Sequence, residues 1–318
     1  MIVDRRHDLT HQGAFKSSIV SIEFHPTQSV AFVASQNGVV RVFNIEEEEN
    51  TLVLTAFFKG YITGSAFMDL EGNNIYVCGK QRHIFKWNLP DANISTIRTN
   101  SGGKGAVNSL FTNERSRLSR CGKYIAVLCE NGWIHILSTK TGQKIEEAKI
   151  EGEVADLAWK YDSSGFTVIS SSGEFFEWNL EGSRFESRWF GEGGYALTKI
   201  AYGGERDEWL AVGSESGIVD IYNTRSSNRR KPVKSLGQLI TSVTSLEFSP
   251  DGQILAMASN LKTKQLKLIH FPSLTAFKNW PTGYTPLSRV HAVAFNPSSD
   301  MIAVGNEQGK VLLYTIKQ

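Results

Sequence analysis

The sequence predicts an all-β fold, a seven-bladed β-propeller of four-stranded antiparallel blades, on three observations. An aromatic or large apolar residue stands just before a turn of the Ser-Pro-Asp-Gly type at seven places: Phe24, Phe67, Leu118, Trp159, Tyr202, Phe248 and Phe295. A second landmark follows each of these by 19 to 21 residues, at Phe43, Trp87, Leu137, Trp178, Tyr222, Ile269 and Tyr314. Short strand-like runs lie between the copies, so each copy supplies four strands, and four-stranded units of about 40 to 45 residues repeated radially are how a propeller manages its exposed edges.

The clearest copy is Val243 to Phe271, VTSLEFSPDGQILAMASNLKTKQLKLIHF. Val243 to Phe248 is an apolar, β-prone run, SPDG is a turn with Pro setting φ and Gly allowing positive φ, and ILAMAS and LKLIHF are two further strands. Copies are spaced 41 to 51 residues apart, and the long interval between Trp87 and Leu118 places an insertion at Asn100 to Asn113. The first strand of the third copy therefore ends at Leu118 and not at Phe111. The tight turns QNG, ENG, SSG, ESG and EQG precede third strands at Val39, Trp133, Glu174, Ile218 and Lys310, with glycine supplying the turn.

Outer strands are expected at Thr51 to Phe58, Ile94 to Thr99, Gln143 to Ile150, Ser183 to Phe190, Pro232 to Leu236 and Leu274 to Trp280. After Tyr314 only four residues remain, so the seventh copy lacks an outer strand of its own. Ile2 to Leu9 is strand-like and otherwise unassigned. Residues 1–318 thus read as one domain, with the N-terminal strand 2–9 completing the last blade and closing the ring.

At 318 residues the length forces no domain boundary, and 41% hydrophobic with 21% charged residues is a globular composition. No apolar run approaches the roughly 20 residues of a membrane helix, and the start, MIVDRRHDLTHQG, is too charged for a signal peptide. With a net charge of +2, contact with nucleic acid or an anionic membrane has to be local. Three cysteines, Cys78, Cys121 and Cys129, have no CxxC spacing and read as free thiols on strands in a reducing compartment.

Four strands per copy and an aromatic in the third strand resemble the WD-repeat propellers, in a degenerate form. Trp87-Asn88, Trp178-Asn179, Phe43-Asn44 and Tyr222-Asn223 stand for the Trp-Asp signature, and no Gly-His dipeptide occurs. Within that class, AVGSESGIVDIYN (Ala211 to Asn223), ITSVTSLEFSPDGQILAMAS (Ile240 to Ser259), LKLIHFPSLTAFKNWP (Leu266 to Pro281), VHAVAFNPSSDMIAVGNEQGKVLLY (Val290 to Tyr314) and IVSIEFHPTQSVAFVAS (Ile19 to Ser35) are similar to the U3 small nucleolar RNA-associated protein 18 family. The resemblance implies a non-catalytic scaffold of the small-subunit processome, needed for pre-18S ribosomal RNA processing in the nucleolus of the nucleus. It implies as partners other WD-repeat proteins of the UTP-B subcomplex and the U3 small nucleolar ribonucleoprotein; a local contact to the pre-ribosomal RNA backbone is one reading of the basic segments below, and neither a membrane nor a small-molecule substrate is expected. Members carry a long N-terminal extension, so this sequence reads as the propeller portion, without the extension's role of recruiting the RNA exosome's helicase. The alternatives are a phosphoinositide-binding propeller, whose Phe-Arg-Arg-Gly motif is approached only by Asn228-Arg229-Arg230-Lys231, and a substrate receptor or signalling adaptor.

The residues themselves offer no catalytic constellation. His7, His11, His25, His83, His135, His270 and His291 never take an HExxH or similar ligand spacing, and GxSxG, P-loop, GxGxxG and Asp-box motifs do not occur. No catalytic residue, cofactor or metal is expected, which leaves the surface. In the connection Asn228 to Lys234, Arg229, Arg230 and Lys231 either clamp phosphates or form a solvated loop, and no interleaved aromatics are there to stack bases. Lys262, Lys264 and Lys267 sit in a turn longer than its siblings, a protruding hairpin suited to contact. Arg115 and Arg117 have the parity opposite to Leu118 and are expected at the central channel or its rim, either hydrated or holding a partner's acidic segment. The run Glu46 to Glu49 reads as a solvated loop, and Trp189, Trp209 and Trp280 as packing residues.

Overall fold

The computed structural model describes residues 2–11, 13–69, 71–81, 83–98, 115–192 and 196–317. The chain forms seven four-stranded antiparallel sheets, six of them built from four consecutive strands running from the channel outward. The inner strands are Ile19–Phe24, Ile62–Phe67, Ser116–Leu118, Val154–Trp159, Leu197–Gly203, Ser245–Phe248 and Val290–Phe295, and they define blades 1 to 7 in that order. The expected insertion at Asn100 to Asn113 lies outside the described residues, and the inner strand of blade 3 does end at Leu118.

Each junction between neighbouring blades carries its own apolar cluster, because both faces of every inner, second and third strand meet another blade. The repeat landmarks sit in these clusters: Phe67 and Trp87 between blades 1 and 2, Trp159 and Trp178 between blades 3 and 4, Phe248 and Ile269 between blades 5 and 6. Strands buried on two faces carry near-continuous apolar runs, as in ILAMA of Ile254–Ala258, where every residue is buried.

Blade 7 is completed from the other end of the chain. Ile2–Arg5 pairs antiparallel with Val311–Lys317, Ile2 facing Lys317 and Arg5 facing Tyr314. Regular pairing stops at Arg5, short of the Leu9 expected, because the segment then turns inward. The Leu9 N–H still reaches the Val311 carbonyl (3.1 Å), but the Leu9 side chain enters the cluster between blades 7 and 1, where it is 1% exposed beside Phe15 at 4%. The Thr10 hydroxyl accepts from the Val311 N–H (3.0 Å), and the Phe15 N–H donates to Gly309 (2.9 Å).

The turn glycines have a second role beyond the tight turn. In blades 1, 3, 4 and 7 the glycine carbonyl before the third strand takes an N–H from a connecting segment: Phe58 to Gly38, Ile150 to Gly132, Gly191 to Gly173 and Phe15 to Gly309. A Cβ at Gly38, whose φ is +92°, would lie 2.2 Å from the Phe58 carbonyl oxygen. Gly38→Ala is therefore expected to cost about 2 to 4 kcal/mol through strain and clash together, read as a lowered urea midpoint at unchanged slope.

The outer strand expected over Leu274 to Trp280 shrinks to Thr275–Ala276. Leu274 has φ +52°, and Trp280 turns in between blades 6 and 7 to meet the Tyr314 ring at 4.9 Å, pulling the backbone off the edge. The outer strand of blade 5 is also short, Lys234–Leu236. Those two short edges leave the side of the ring open between blades 5 and 6.

Candidate partner-contact sites

Arg115 and Arg117 belong to the channel wall, and there they tie two blades together. Arg117 donates to the Asp156 carboxylate on blade 4 (2.6 Å), and Arg115 donates to the carbonyls of Val154 and Ala155. Lys199 of blade 5 lies 3.7 Å from the other Asp156 oxygen. Dehydration pushes the Asp156 pKa up, but Arg117, Lys199 and the N–H groups of Leu157 and Ile200 outweigh it and hold the carboxyl below its ordinary value. The two arginines are thereby engaged within the ring, so a partner's acidic segment would compete with Asp156 for Arg117. Across the channel, Glu23 of blade 1 accepts from the Phe67 N–H (2.8 Å); burial, opposed by that bond and reinforced by the charge of Glu247, pushes its pKa up to about 8.

One lysine from each of the other two basic segments, Lys234 and Lys267, comes to the side of the ring. Lys234, which closes the Asn228 to Lys234 segment, and Lys267, from the third strand of blade 6, line one groove of about 510 Å³ together with Lys278. Its remaining lining is Ser235, Leu236, Gln238, Leu274, Thr275, Ala276 and Phe277, with no acid. Lys234 donates to the Leu274 carbonyl (2.9 Å), one of the three N–H groups an ammonium offers. Among the described residues, no ion pair involves Lys267 or Lys278. The acid bonded to Ser235 is Asp220, buried at 5% exposure, and dehydration, partly offset by the Ser235 hydroxyl, pushes its pKa up. The groove thus gathers three ammonium groups beside an apolar strip, with no acid in its lining.

Lys262 is exposed on the long turn, while Lys264 is engaged: its N–H donates to Ser288 and its ammonium to the Gly283 carbonyl, both in the connection to blade 7. The turn docks on its neighbour, so replacing it by a short glycine turn would remove two cross-blade hydrogen bonds. Arg229, Arg230 and Lys231 lean across onto blade 4. Arg229 lies 3.7 Å from Glu177, Lys231 lies 3.7 Å from Glu192, and the Arg230 guanidinium sits 5.9 Å from the centre of the Trp189 ring. Their charges are partly answered by the chain itself, and they do not share the groove of Lys234 and Lys267.

Sequence reasoning missed Lys278, because the whole run around it was assigned to a regular strand. It also missed Asp156, whose pairing with Arg117 depends on two blades being adjacent. A signal existed for Glu177: the residue before the third-strand landmark is an apolar core residue in five copies, Val42, Ile136, Ile221, Leu268 and Leu313, and is Lys86 or Glu177 in the other two. His25 has a turn role, its Nδ1 accepting from the N–H groups of Thr27 and Gln28 (3.1 Å each). Among the described residues, no three His, Cys, Asp or Glu side chains converge closely enough to hold a metal ion.

A family model described as nucleolar protein 10-like, N-terminal domain, matches residues 114–318. U3 small nucleolar RNA-associated protein 18 of Saccharomyces cerevisiae is 33% identical over 94% of this chain and 58% of its own length. The probable U3 small nucleolar RNA-associated protein 18 of Schizosaccharomyces pombe is 31% identical over 99% of this chain and 60% of its own, and the Homo sapiens homolog is 28% identical over 94% and 53%. The chain spans 53 to 60% of the length of these relatives.

Proposed function

The chain belongs to the nucleolar protein 10-like, N-terminal domain family, and from that membership we propose that it is a non-catalytic scaffold of small-subunit ribosome assembly, acting with the U3 small nucleolar ribonucleoprotein in pre-18S ribosomal RNA processing. The observation that carries this reading is the likeness, over 94 to 99% of the chain, to proteins named for association with U3 small nucleolar RNA. The fold supports it physically. A closed ring with an apolar cluster at every blade junction is stiff, and it presents two rims and a side on which several partners dock at once without rearranging the ring. The proposed partners are WD-repeat proteins of the UTP-B subcomplex, and the proposed location is the nucleolus.

Affinity purification of the tagged full-length protein with crosslinking mass spectrometry tests this. Recovery of U3 particle proteins and other assembly propellers is the expected result. Recovery of ligase or kinase subunits in their place would overturn it.

Within that role, the lysine groove between blades 5 and 6 is the proposed contact for the RNA backbone. Three ammonium groups without an acidic partner in the lining release counterions when they meet phosphates, and this needs no base stacking. Replacing Lys234, Lys267 and Lys278 together by Ala is expected to lower affinity for a single-stranded RNA 20-mer about 10-fold at 0.15 M salt and to flatten the salt dependence by a slope of about 2. Unchanged affinity and slope in a filter-binding titration would remove the groove from the RNA contact.

A further inference from the structure

Between blades 4 and 5 lies a second cavity of about 510 Å³, whose lining, unlike that of the lysine groove, includes acids. Its inner wall is aromatic, from Trp189, Tyr202 and Tyr222, and Glu177 stands among them. Glu177 occupies the strand position filled by a core aliphatic in five sibling blades, and its side chain is only 12% exposed. Among the described residues its one ion pair is with Arg229, at 3.7 Å, beyond hydrogen-bond distance. Beside it, the Trp189 indole N–H is buried and has no hydrogen-bond partner among the described residues. The wall is otherwise fixed: Trp189 stacks on Phe175 at 5.0 Å, and the Tyr202 hydroxyl is bonded to Thr167 at 2.6 Å.

Charges at the mouth cancel. Lys160 and Arg206 are matched by Asp162 and Asp207, and Asp207 is already used by the Tyr161 N–H and by Arg120 at 3.6 Å. The charges left on the wall are Glu177 and the chain's own Arg229. Arg229 reaches in from the Asn228 to Lys234 connection of blade 5, with Arg230 over the Trp189 ring. Arg229 stays 46% exposed and its nitrogen is too far from Glu177 for a hydrogen bond, so it caps the cavity without filling it.

We propose that this cavity is a socket for an arginine side chain of a partner protein's basic, extended segment, and that Arg229 is its internal placeholder. A guanidinium suits the site better than an ammonium: it forms paired hydrogen bonds with a carboxylate while its flat face lies on an aromatic ring. The aliphatic stem would pack on Leu210 and Tyr222, with the guanidinium between Glu177 and the aromatic wall. A partner's arginine displaces Arg229, so the socket is self-masked and its affinity for a basic segment is held down by competition from its own loop. The socket is separate from the lysine groove, and neither the RNA assay nor the family reading bears on it.

The test uses a fluorescein-labelled peptide Asn-Arg-Arg-Lys-Pro, which is the chain's own segment supplied in trans, and a control with Glu at its three basic positions, both measured by anisotropy. The variant R229S/R230S/K231S, which empties the mouth, is expected to bind the basic peptide about 5-fold more tightly than the wild type. Adding Glu177→Gln to that variant should weaken binding about 10-fold, and Trp189→Phe, which shrinks the aromatic wall and removes the indole N–H with it, about 3-fold. The acidic control should not bind. Unmasking without any gain in affinity, or full retention of binding after Glu177→Gln, overturns the proposal. Should Glu177→Gln lower the melting point by more than a few degrees, the Trp189→Phe arm decides, and unchanged binding in that arm overturns it.

Discussion

A chain lacking residues 1–15 is expected to be unfolded or insoluble at 37 °C. The deletion removes the outer strand of blade 7, and it also takes Leu9 and Phe15 out of the cluster that joins blades 7 and 1. Emptying a packed site of a large apolar side chain costs about 2 to 5 kcal/mol each time. The Val311 N–H then loses the Thr10 hydroxyl, and a whole edge of Val311–Lys317 is left unpaired. Together these losses come to roughly 5 to 10 kcal/mol, most of the 5 to 15 kcal/mol that a folded protein has. A shorter deletion of residues 1–5 spares Leu9 and Phe15 and should lower the thermal midpoint by much less. Circular-dichroism melts of both separate clasp from core: a midpoint within 3 °C of wild type for the longer deletion would mean that the ring does not depend on this segment.

Asp156→Asn is the second large effect. Arg117 and Lys199 converge on this one carboxylate from the two flanking blades, with Arg115 close by, so neutralising it leaves two cations near each other with no counter-charge. Breaking a buried pair costs about 3 to 5 kcal/mol, and the lower figure applies because Arg117 keeps 39% of its side chain in contact with water. A fall of roughly 5 °C in midpoint is expected at neutral pH. The pH dependence has a definite sign. Because the Asp156 pKa is held below its ordinary 3.8, its contribution is complete above that value and is lost as pH falls through the lower, folded value. The gap in stability between wild type and Asp156→Asn should therefore be constant near neutrality and close progressively below about pH 4. Urea titrations that show the gap unchanged down to pH 2 would rule out the ion cluster as its source.

The repeat was fully legible because its period is imposed by packing: every blade has to bury the same positions against the next, so Phe24, Trp87 and Tyr314 recur on a fixed ruler. Glu177 departs from that ruler, and the departure went unread because a charged residue stands at the same place in blade 2, Lys86. The lysine groove was not. Lys234 and Lys278 belong to outer-edge segments, where one face is solvent and residue pattern carries little information; the Leu274 to Trp280 run even overrode its own strand-like composition once Trp280 found a place in the core. Asp156 was hidden for a different reason. Its partner is one blade away, and the position it holds, just after a register shift shared with blades 1, 2, 5 and 7, carries Ser21, Gly64, Lys199 and Ala292 there, so no pattern within one blade announces the pairing.

The pairing of Ile2 with Lys317 sets how the ring answers to mechanical load. Ile2 and Lys317 lie at the same end of one antiparallel ladder, so tension applied between these two residues pulls across the hydrogen bonds one pair at a time and peels the ladder like a zipper. The blade interiors, whose strands would have to slide lengthwise, resist in shear and yield later. A propeller gripped at Ile2 and Lys317 should open first at blade 7, at a low force.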